Sequence, residues 1–114
     1  MAFGTRVQFD AVRELVFSGI SGSYATVGTP LTDHARIVSI NNSTNADIYI
    51  SLDGTTNNLR MAANSFKLYD FSTNKIQDDG LFVPIGTQFY AKQAAGAPAS
   101  GTVWIEVISG AGGV

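Results

Sequence analysis

The chain has 114 residues, which is enough for one domain with a buried core. Charged residues make up only 14% of it, below the roughly 25% of an average soluble protein, and the formal net charge is −2. Cysteine is absent, which excludes disulfides, zinc–thiolate sites and cysteine nucleophiles. The seven lysines and arginines are scattered, whereas a nucleic-acid groove needs a basic stripe, so we expect no nucleic-acid partner.

The polar part of the composition is largely uncharged, since Ser, Thr and Asn provide 27 of the 114 residues. A protein that stays free in solution normally carries more charge. This favours a protein held in an assembly, with an ordinary low-charge β domain as the alternative. No apolar run approaches the roughly 20 residues of a membrane span, so we expect no membrane partner. The N-terminus lacks the basic-then-apolar order of a signal peptide, and we expect synthesis in a cytosol without export by the usual route.

The first part of the chain predicts an arm followed by two short strands. We assign the arm to residues 1–5. Alternating apolar residues predict a strand over 6–17, although a helix over 10–17 also fits the spacing. Strand is favoured because β-branched and aromatic residues dominate. A Gly/Ser turn over 18–23 separates this strand from the next, over 24–27.

The stretch 36–54 has the clearest pattern in the chain and predicts a β-hairpin. Residues 36–40 are rich in β-branched side chains, and over 47–52 apolar and polar residues alternate with a period of two. The sequence between them, Asn-Asn-Ser-Thr-Asn, favours a tight turn because these residues accept left-handed backbone or bond to local backbone groups. Asp53-Gly54 ends the second strand. We expect the other strands to pack around this hairpin.

The rest of the chain predicts further short strands, with a polar loop over 72–80. Residues 59–63 are ambiguous. Strands are predicted at residues 66–71, 81–84, 87–93 and 102–108. The last strand is apolar on both faces, so we place it centrally or beneath a contact surface. Residues 109–114 predict a flexible, Gly-rich tail.

Together these elements predict one all-β domain over residues 1–114. Seven to eight short strands recur at regular intervals with turn signals between them and no substantial helix, which is typical of an antiparallel β-sandwich. Eight strands in two sheets is the count of a jelly roll, so we expect a jelly-roll-like sandwich.

His34 is the only histidine, so a catalytic triad or a histidine base would have to use it. It lies in the predicted loop before the hairpin, where an exposed loop histidine is the favoured interpretation. The densest oxygen ligands are Asp70, Asn74, Asp78 and Asp79. Calcium needs six to eight oxygens from a compact loop, and this spacing is loose, so a solvated turn is favoured.

Two further groups of residues bear on chemistry. Glu14 and Glu106 are the only glutamates, and nothing in the sequence brings them together as the acid pair of a glycosidase. Four aromatic residues could line a sugar-binding face of a sheet: Trp104, Tyr49, Tyr69 and Tyr90. Packing in a core or a subunit interface is the favoured interpretation of these rings. We predict no catalytic, cofactor or metal site and no enzymatic activity.

Five segments of the chain carry a family resemblance. They are residues 24–31 (YATVGTPL), 36–38 (RIV), 50–54 (ISLDG), 69–75 (YDFSTNK) and 84–92 (PIGTQFYAK). Together they resemble small all-β structural proteins of tailed bacteriophages, among them head decoration (cement) proteins with a jelly-roll-like sandwich. The resemblance implies a virion protein that is made in the bacterial host cytoplasm, is present in many copies and has neither cofactor nor enzymatic activity.

The resemblance also implies partners. A decoration protein binds the major capsid protein or other virion proteins, works as a homo-oligomer (a dimer or trimer), and stabilises the assembled lattice by mass action. Residues 1–5 and 109–114 are the candidate segments that reach neighbouring molecules. A head–tail connector, tail or fibre component of the same virion is the first alternative. A carbohydrate-binding module is the second.

Overall fold

The computed structural model describes residues 6–71 and 83–111, and this part of the chain forms nine β-strands and one short 3-10 helix. The strands are β1 (Arg6–Phe9), β2 (Arg13–Val16), β3 (Ala25–Thr26), β4 (Ala35–Asn42), β5 (Ile48–Ser51), β6 (Leu59–Met61), β7 (Ser65–Asp70), β8 (Tyr90–Gln93) and β9 (Thr102–Ala111). The 3-10 helix, Phe17–Gly19, follows β2. The predicted all-β class is confirmed.

The strands form two antiparallel sheets that pack against each other as a β-sandwich. The five-stranded sheet has the order β1-β9-β4-β7, and β2 also pairs with β9. Because β1 pairs with the end of β9 and β2 with its beginning, these two strands share one position in the sheet. The four-stranded sheet has the order β3-β8-β5-β6. The sandwich therefore has eight strand positions.

One hydrophobic core lies between the sheets, because alternate residues of each strand point inward. The fully buried inward side chains from the two sheets are Val38, Ile40, Ile48, Ile50, Met61, Ala91, Val103, Ile105 and Val107. Loop residues Ile20, Val27, Leu31 and Phe89 complete the core. Burial of a large apolar side chain contributes roughly 1.5–3 kcal/mol, so this core is the main source of stability.

The predicted hairpin over residues 36–54 is wrong in its pairing. Both strands exist, but β4 lies in the five-stranded sheet between β9 and β7, and β5 lies in the four-stranded sheet between β8 and β6. The chain crosses from one sheet to the other between Asn42 and Ile48. A period-two pattern identifies a half-buried strand but does not identify its partner, since both strands of a crossing turn bury one apolar face in the same core.

A buried polar corner holds this crossing. The side chains of Asn42 and Thr44 are fully buried. The Asn42 amide donates to the carbonyls of Ala46 and Ala62, each at 3.0 Å, and its oxygen accepts from the Thr44 backbone N–H at 3.1 Å and hydroxyl at 2.6 Å. The amide therefore joins the end of β4 to the chain entering β5 and to the residue after β6. Asn42 and Thr44, two of the predicted turn-forming residues, are thus an internal clamp, while Asn41, Ser43 and Asn45 are exposed.

The ends of the chain also differ from expectation. The single strand predicted over 6–17 is two strands, β1 and β2, which the segment 10–12 separates. The last strand continues to Ala111, although a flexible tail was predicted from residue 109, and Ser109 is buried. Arg6 pairs with Ala111, so the two ends of the described chain lie side by side. Residues 1–5 and 112–114 lie outside the described part.

Two other predicted strands are shorter than expected. The strand predicted over 87–93 begins only at Tyr90. Of the strand predicted over 81–84, Val83 forms an isolated bridge with Ala35, and residues 81 and 82 lie outside the described part. The strand predicted over 66–71 corresponds to β7, and the ambiguous stretch 59–63 contains β6.

Candidate interaction surfaces

The outer face of the five-stranded sheet is rich in exposed apolar side chains. Phe9 is 74% exposed, Phe66 67% and Leu68 60%, and all three point away from the core. We call this surface the acidic apolar face, and it consists of Phe9, Val12, Glu14, Ile37, Phe66, Leu68, Trp104, Glu106 and Ile108. Isolated exposed apolar residues are ordinary, but a contiguous group of them on one face is typical of an interaction surface.

Strand register makes this face contiguous. Phe66 lies opposite Asn41, which lies opposite Trp104 on the next strand. Ile37 lies opposite Ile108, which in turn lies opposite Phe9. Three inter-strand steps of roughly 4.8 Å make the face about 14 Å wide. The prediction that the last strand is central or beneath a contact surface is confirmed for its central position, because β9 lies between β4 and the shared β1/β2 position.

A groove of about 440 Å³ runs across the middle of the face. Its apolar walls include Phe9, Val12 and Leu68, and the carboxylate-bearing residue Glu106 lies among them. The groove therefore offers apolar contact together with two carboxylates, that of Glu106 and that of Asp10, which pairs with Arg13 at 3.5 Å. A complementary partner would present aromatic or aliphatic side chains and a cation.

The charges of this face are of one sign. Glu14 of β2 lies opposite Trp104 of β9, and Glu106 follows Trp104 by two residues along β9. Both glutamates are exposed on this face. No lysine or arginine occupies an outward position in the strands that form this face. This holds for β2, for β7, for β9 as far as Ile108 and for β4 from Ile37 onward. Lys67 of β7 points to the inner side, because its neighbours Phe66 and Leu68 point outward. The sheet thus brings together the two glutamates that the sequence alone left unrelated, on an open face.

The outer face of the four-stranded sheet has a different chemistry. Tyr49 of β5 lies opposite Lys92 of β8 on one side and Arg60 of β6 on the other. Tyr24 immediately precedes β3, and the register of β3 with β8 places it opposite Lys92. We call these four residues the tyrosine–cation row; they are Tyr24, Lys92, Tyr49 and Arg60, and they cross the whole sheet.

Cations and rings alternate along the row. The Lys92 ammonium lies 4.8 Å from the centre of the Tyr24 ring and 5.9 Å from that of Tyr49. The Arg60 guanidinium lies 5.8 Å from the centre of the Tyr49 ring. Such contacts are worth roughly 0.5–1 kcal/mol each at exposed sites. The row is therefore an ordered surface in which the cations and rings fix each other's positions.

The two cations of the row differ in their ion pairs. Arg60 forms a salt bridge of 2.8 Å with Asp47. Hydrogen bonds from the Arg60 side chain and from the Ala63 backbone N–H lower the pKa of Asp47. The hydrogen bond and charge of Asp47 in turn raise the pKa of Arg60. Lys92 takes part in no salt bridge with any residue of the described ranges 6–71 and 83–111. Its charge is thus available to a partner's carboxylate.

A tight polar turn borders the row at one end. One Asp53 carboxylate oxygen accepts the backbone N–H groups of Thr55 at 2.9 Å and Thr56 at 2.8 Å, and the other accepts the Thr56 hydroxyl at 2.8 Å. These hydrogen bonds lower the pKa of Asp53 strongly, and the bond from the Thr56 N–H has the largest effect. The Tyr24 hydroxyl donates to the Asn57 side chain. Burial, with Asp53 nearby, raises the pKa of Tyr24.

The four aromatic residues that could have lined one sugar-binding face are divided by the fold. Tyr49 and Tyr90 belong to the four-stranded sheet, whereas Trp104 lies on the outer face of the other sheet. Tyr69 is half-buried beside the core, and its ring stacks on Phe71 at 6.3 Å and 7°. Tyr24, which packs edge-to-face on Tyr90, was not among the candidates. Only the strand register, which sequence does not specify, could have added it.

The remaining predicted positions do not converge on one site. His34 is exposed, and its Nδ1 accepts the backbone N–H of Ile85 at 2.9 Å, so the imidazole helps to hold the turn after Val83. Asp70 lies at the end of β7, and Asn74, Asp78 and Asp79 lie outside the described residues. Within the described part of the chain, no group of three or more His, Asp or Glu could hold a metal ion.

Buried Arg13 has a structural environment. Its Nε donates to the Thr29 carbonyl at 2.8 Å and its terminal nitrogens approach Pro30 O at 3.3 Å and the Asp10 carboxylate at 3.5 Å. Gly28, with a φ of +70°, packs against this side chain so closely that a Cβ would lie 2.6 Å from it. Arg13 thus ties β2 to the loop after β3 and closes one side of the sandwich.

A cavity of about 140 Å³ lies at the other side, between the sheets. It is lined by Val38, Ile40, Leu52, Leu59, Tyr69, Phe71, Val83 and Phe89. Its lining is apolar, so these residues offer no group to orient or activate a polar substrate there.

No protein-family model matches the chain, and no curated protein or solved structure is significantly similar to it. The described residues contain no helix long and apolar enough to cross a membrane.

Proposed function

We propose that the protein is a non-enzymatic structural component of a tailed-bacteriophage virion, a capsid decoration (cement) protein that binds and stabilises the assembled head. It is made in the bacterial host cytoplasm and becomes part of the virion. It acts as a homo-oligomer, and its partners are the major capsid protein or other virion proteins. The acidic apolar face is the observation that carries this proposal.

The energetic argument rests on what this face leaves exposed. Phe9, Phe66 and Leu68 are each more than half exposed and lie on one sheet. Each side chain of this size contributes roughly 1.5–3 kcal/mol when it leaves water, and soluble monomers rarely leave several together unburied. Few charged groups elsewhere would keep copies apart, since only 14% of the chain is charged. A protein that is always held among others in an assembly meets both conditions.

The chain ends support attachment at one place. Arg6 and Ala111 pair, so the first and last described residues lie side by side in the five-stranded sheet. We propose that residues 1–5, with the residues after Ala111, contact neighbouring molecules of the shell. Residues 109–111, which belonged to the candidate reaching segment, instead form the end of β9.

Binding to heads tests this function. Phage heads that lack the protein would be incubated with the wild-type chain, with the double variant Phe66→Ser/Leu68→Ser, and with Ser100→Ala, a control at an exposed position in the loop before β9. We expect the control to fill the heads like the wild type and the double variant to bind at least about tenfold more weakly. Full occupancy by the double variant would remove the acidic apolar face from the proposal.

Two alternatives have different supports. A connector, tail or fibre component fits a chain with two unlike outer faces, and its small copy number in the particle would separate it from a decoration protein.

A carbohydrate-binding module is favoured by Tyr24, Tyr49 and Tyr90 lying on one sheet. A sugar stacks on ring faces, however, and Lys92 and Arg60 lie over the rings of Tyr24 and Tyr49. A glycan array with wild type and Tyr49→Ala tests this second alternative.

A further inference from the structure

We infer that the acidic apolar face of one copy of this chain docks on the tyrosine–cation row of a second copy. This inference rests on the proposed function, because it names the neighbour that covers the acidic apolar face in the assembly. The contact is heterologous: the two surfaces that meet are different parts of the same chain.

Charge complementarity selects the second copy as the occupant. The acidic apolar face carries Glu14 and Glu106 and no lysine or arginine at its regular outward positions. The tyrosine–cation row carries Lys92 and Arg60; Arg60 is paired with Asp47 just before β5, so Lys92 supplies the net positive charge of the row. Opposed potentials of this kind suppress the pairing of like faces and guide unlike ones together. Two acidic faces would repel, as would two cationic rows.

The apolar chemistry of the two surfaces also fits. The groove beside Phe9 and Leu68 has apolar walls around Glu106. The row presents tyrosine rings on both sides of Lys92, whose ammonium has an aliphatic stem. Rings can therefore cover the exposed apolar side chains while the ammonium approaches the glutamate. Aromatic residues and a few paired charges at the centre are typical of protein interfaces.

The sheet edges favour contact through faces and not through strand addition. The edge strands of the four-stranded sheet, β3 and β6, have only two and three residues. The edge strand β7 is longer, but Lys67 points inward from it, a device that discourages pairing with another strand. The edges at β3, β6 and β7 are therefore poor templates, so we expect contact through the side chains of the faces.

The position of the two surfaces determines the form of the assembly. They lie on opposite sides of the sandwich, so a copy bound through one surface still presents the other. Such contacts propagate into a ring or an open stack. The acidic apolar face is about 14 Å wide, and a stable pair of proteins buries roughly 800 Å² on each partner, so we expect each contact to be weak and association to depend on concentration.

Two single variants with uncharged or repelling replacements separate this arrangement from other modes. Glu106→Arg blocks the acidic apolar face and leaves the row intact. Lys92→Gln removes the free cation of the row and leaves the acidic apolar face intact. Lys92→Arg, which keeps the charge, is the matched control. Sedimentation velocity would be measured for each chain over a wide concentration range at low and high salt.

We expect the wild type and Lys92→Arg to associate as concentration rises and to dissociate in high salt. Glu106→Arg and Lys92→Gln should each associate at least about tenfold more weakly. Their equimolar mixture should restore binding but stop at a dimer, since each partner then has one blocked surface.

Three results would overturn the inference. The first is a wild type that stays monomeric at every concentration. The second is association by Lys92→Gln alone as strong as that of the wild type, which would mean that acidic apolar faces pair with each other. The third is a mixture that stays monomeric. A chain that is monomeric in solution but still fills phage heads would keep the proposed role on the head and exclude this contact together with the homo-oligomer, so the two failures are distinguishable.

Discussion

Replacement of Asn42 by alanine tests whether the buried corner holds the two sheets together. The side chain makes four hydrogen bonds of 3.1 Å or less, two from its amide group to Ala46 and Ala62 and two to its oxygen from Thr44, and the amide also approaches the Met61 carbonyl at 3.5 Å. A hydrogen bond contributes roughly 1 kcal/mol net, and a buried group left without a partner costs about 1–3 kcal/mol. We therefore expect Asn42→Ala to lower the free energy of unfolding by about 3–5 kcal/mol, a large part of the roughly 5–15 kcal/mol of an ordinary domain.

Urea denaturation followed by fluorescence of Trp104, the only tryptophan, measures this loss. The melting temperature should fall by about 4 °C for each kcal/mol lost. Asn41→Ala is the matched control, because Asn41 is exposed on the outer face and, among the described residues, its side chain hydrogen-bonds only with the Ser43 hydroxyl, at 2.7 Å. It should cost no more than about 0.5 kcal/mol. If Asn42→Ala is as stable as this control, the corner does not hold the crossing.

Two other variants follow from the turns. Gly101 has a φ of +97°, and a Cβ there would lie 2.1 Å from the Ser43 carbonyl oxygen. Gly101→Ala should therefore lower the free energy of unfolding, measured by urea denaturation, by roughly 2–4 kcal/mol. Gly96 has open space around it, so Gly96→Ala should be neutral, and equal stability of the two variants would contradict the close approach at Gly101. Because the pKa of Asp53 is lowered in the folded protein, the stability that its carboxylate contributes is fully present above pH 3.8, its ordinary pKa. That stability is lost as the pH falls through the lower pKa of the folded state. The Thr56 amide resonance should therefore stay unchanged down to pH 3.8, and a titration midpoint at 3.8 would refute the turn geometry.

The elements of this fold follow from sequence more closely than their pairing does. Alternating apolar residues predict the strand over 102–108, and the structure has it as β9. The same pattern predicts the strands before and after Asn42, but a local period contains no information about whether the next strand pairs with the last or crosses to the other sheet. That choice depends on the burial of Asn42, which looks in the sequence like any turn-forming residue.

The candidate surfaces show the same limit. Exposed Phe66 and Leu68 are two residues apart, so sequence places them on one side of a strand, but it favours the buried side for them. They are exposed because Lys67 and Tyr69 take the inner positions. Glu14 and Glu106 are 92 positions apart in the chain, and only the pairing of β2 with β9 brings them to one face. The tyrosine–cation row likewise combines four separate segments through register alone.

The central claim is that this chain is a virion component present in many copies. Quantitative mass spectrometry of purified phage particles from the source of the sequence, scaled to the major capsid protein, tests it most directly. We predict a copy number of the same order as that of the capsid protein. A count of only a few copies would move the chain to the neck, tail or fibres, and its complete absence from the particles would contradict the claim.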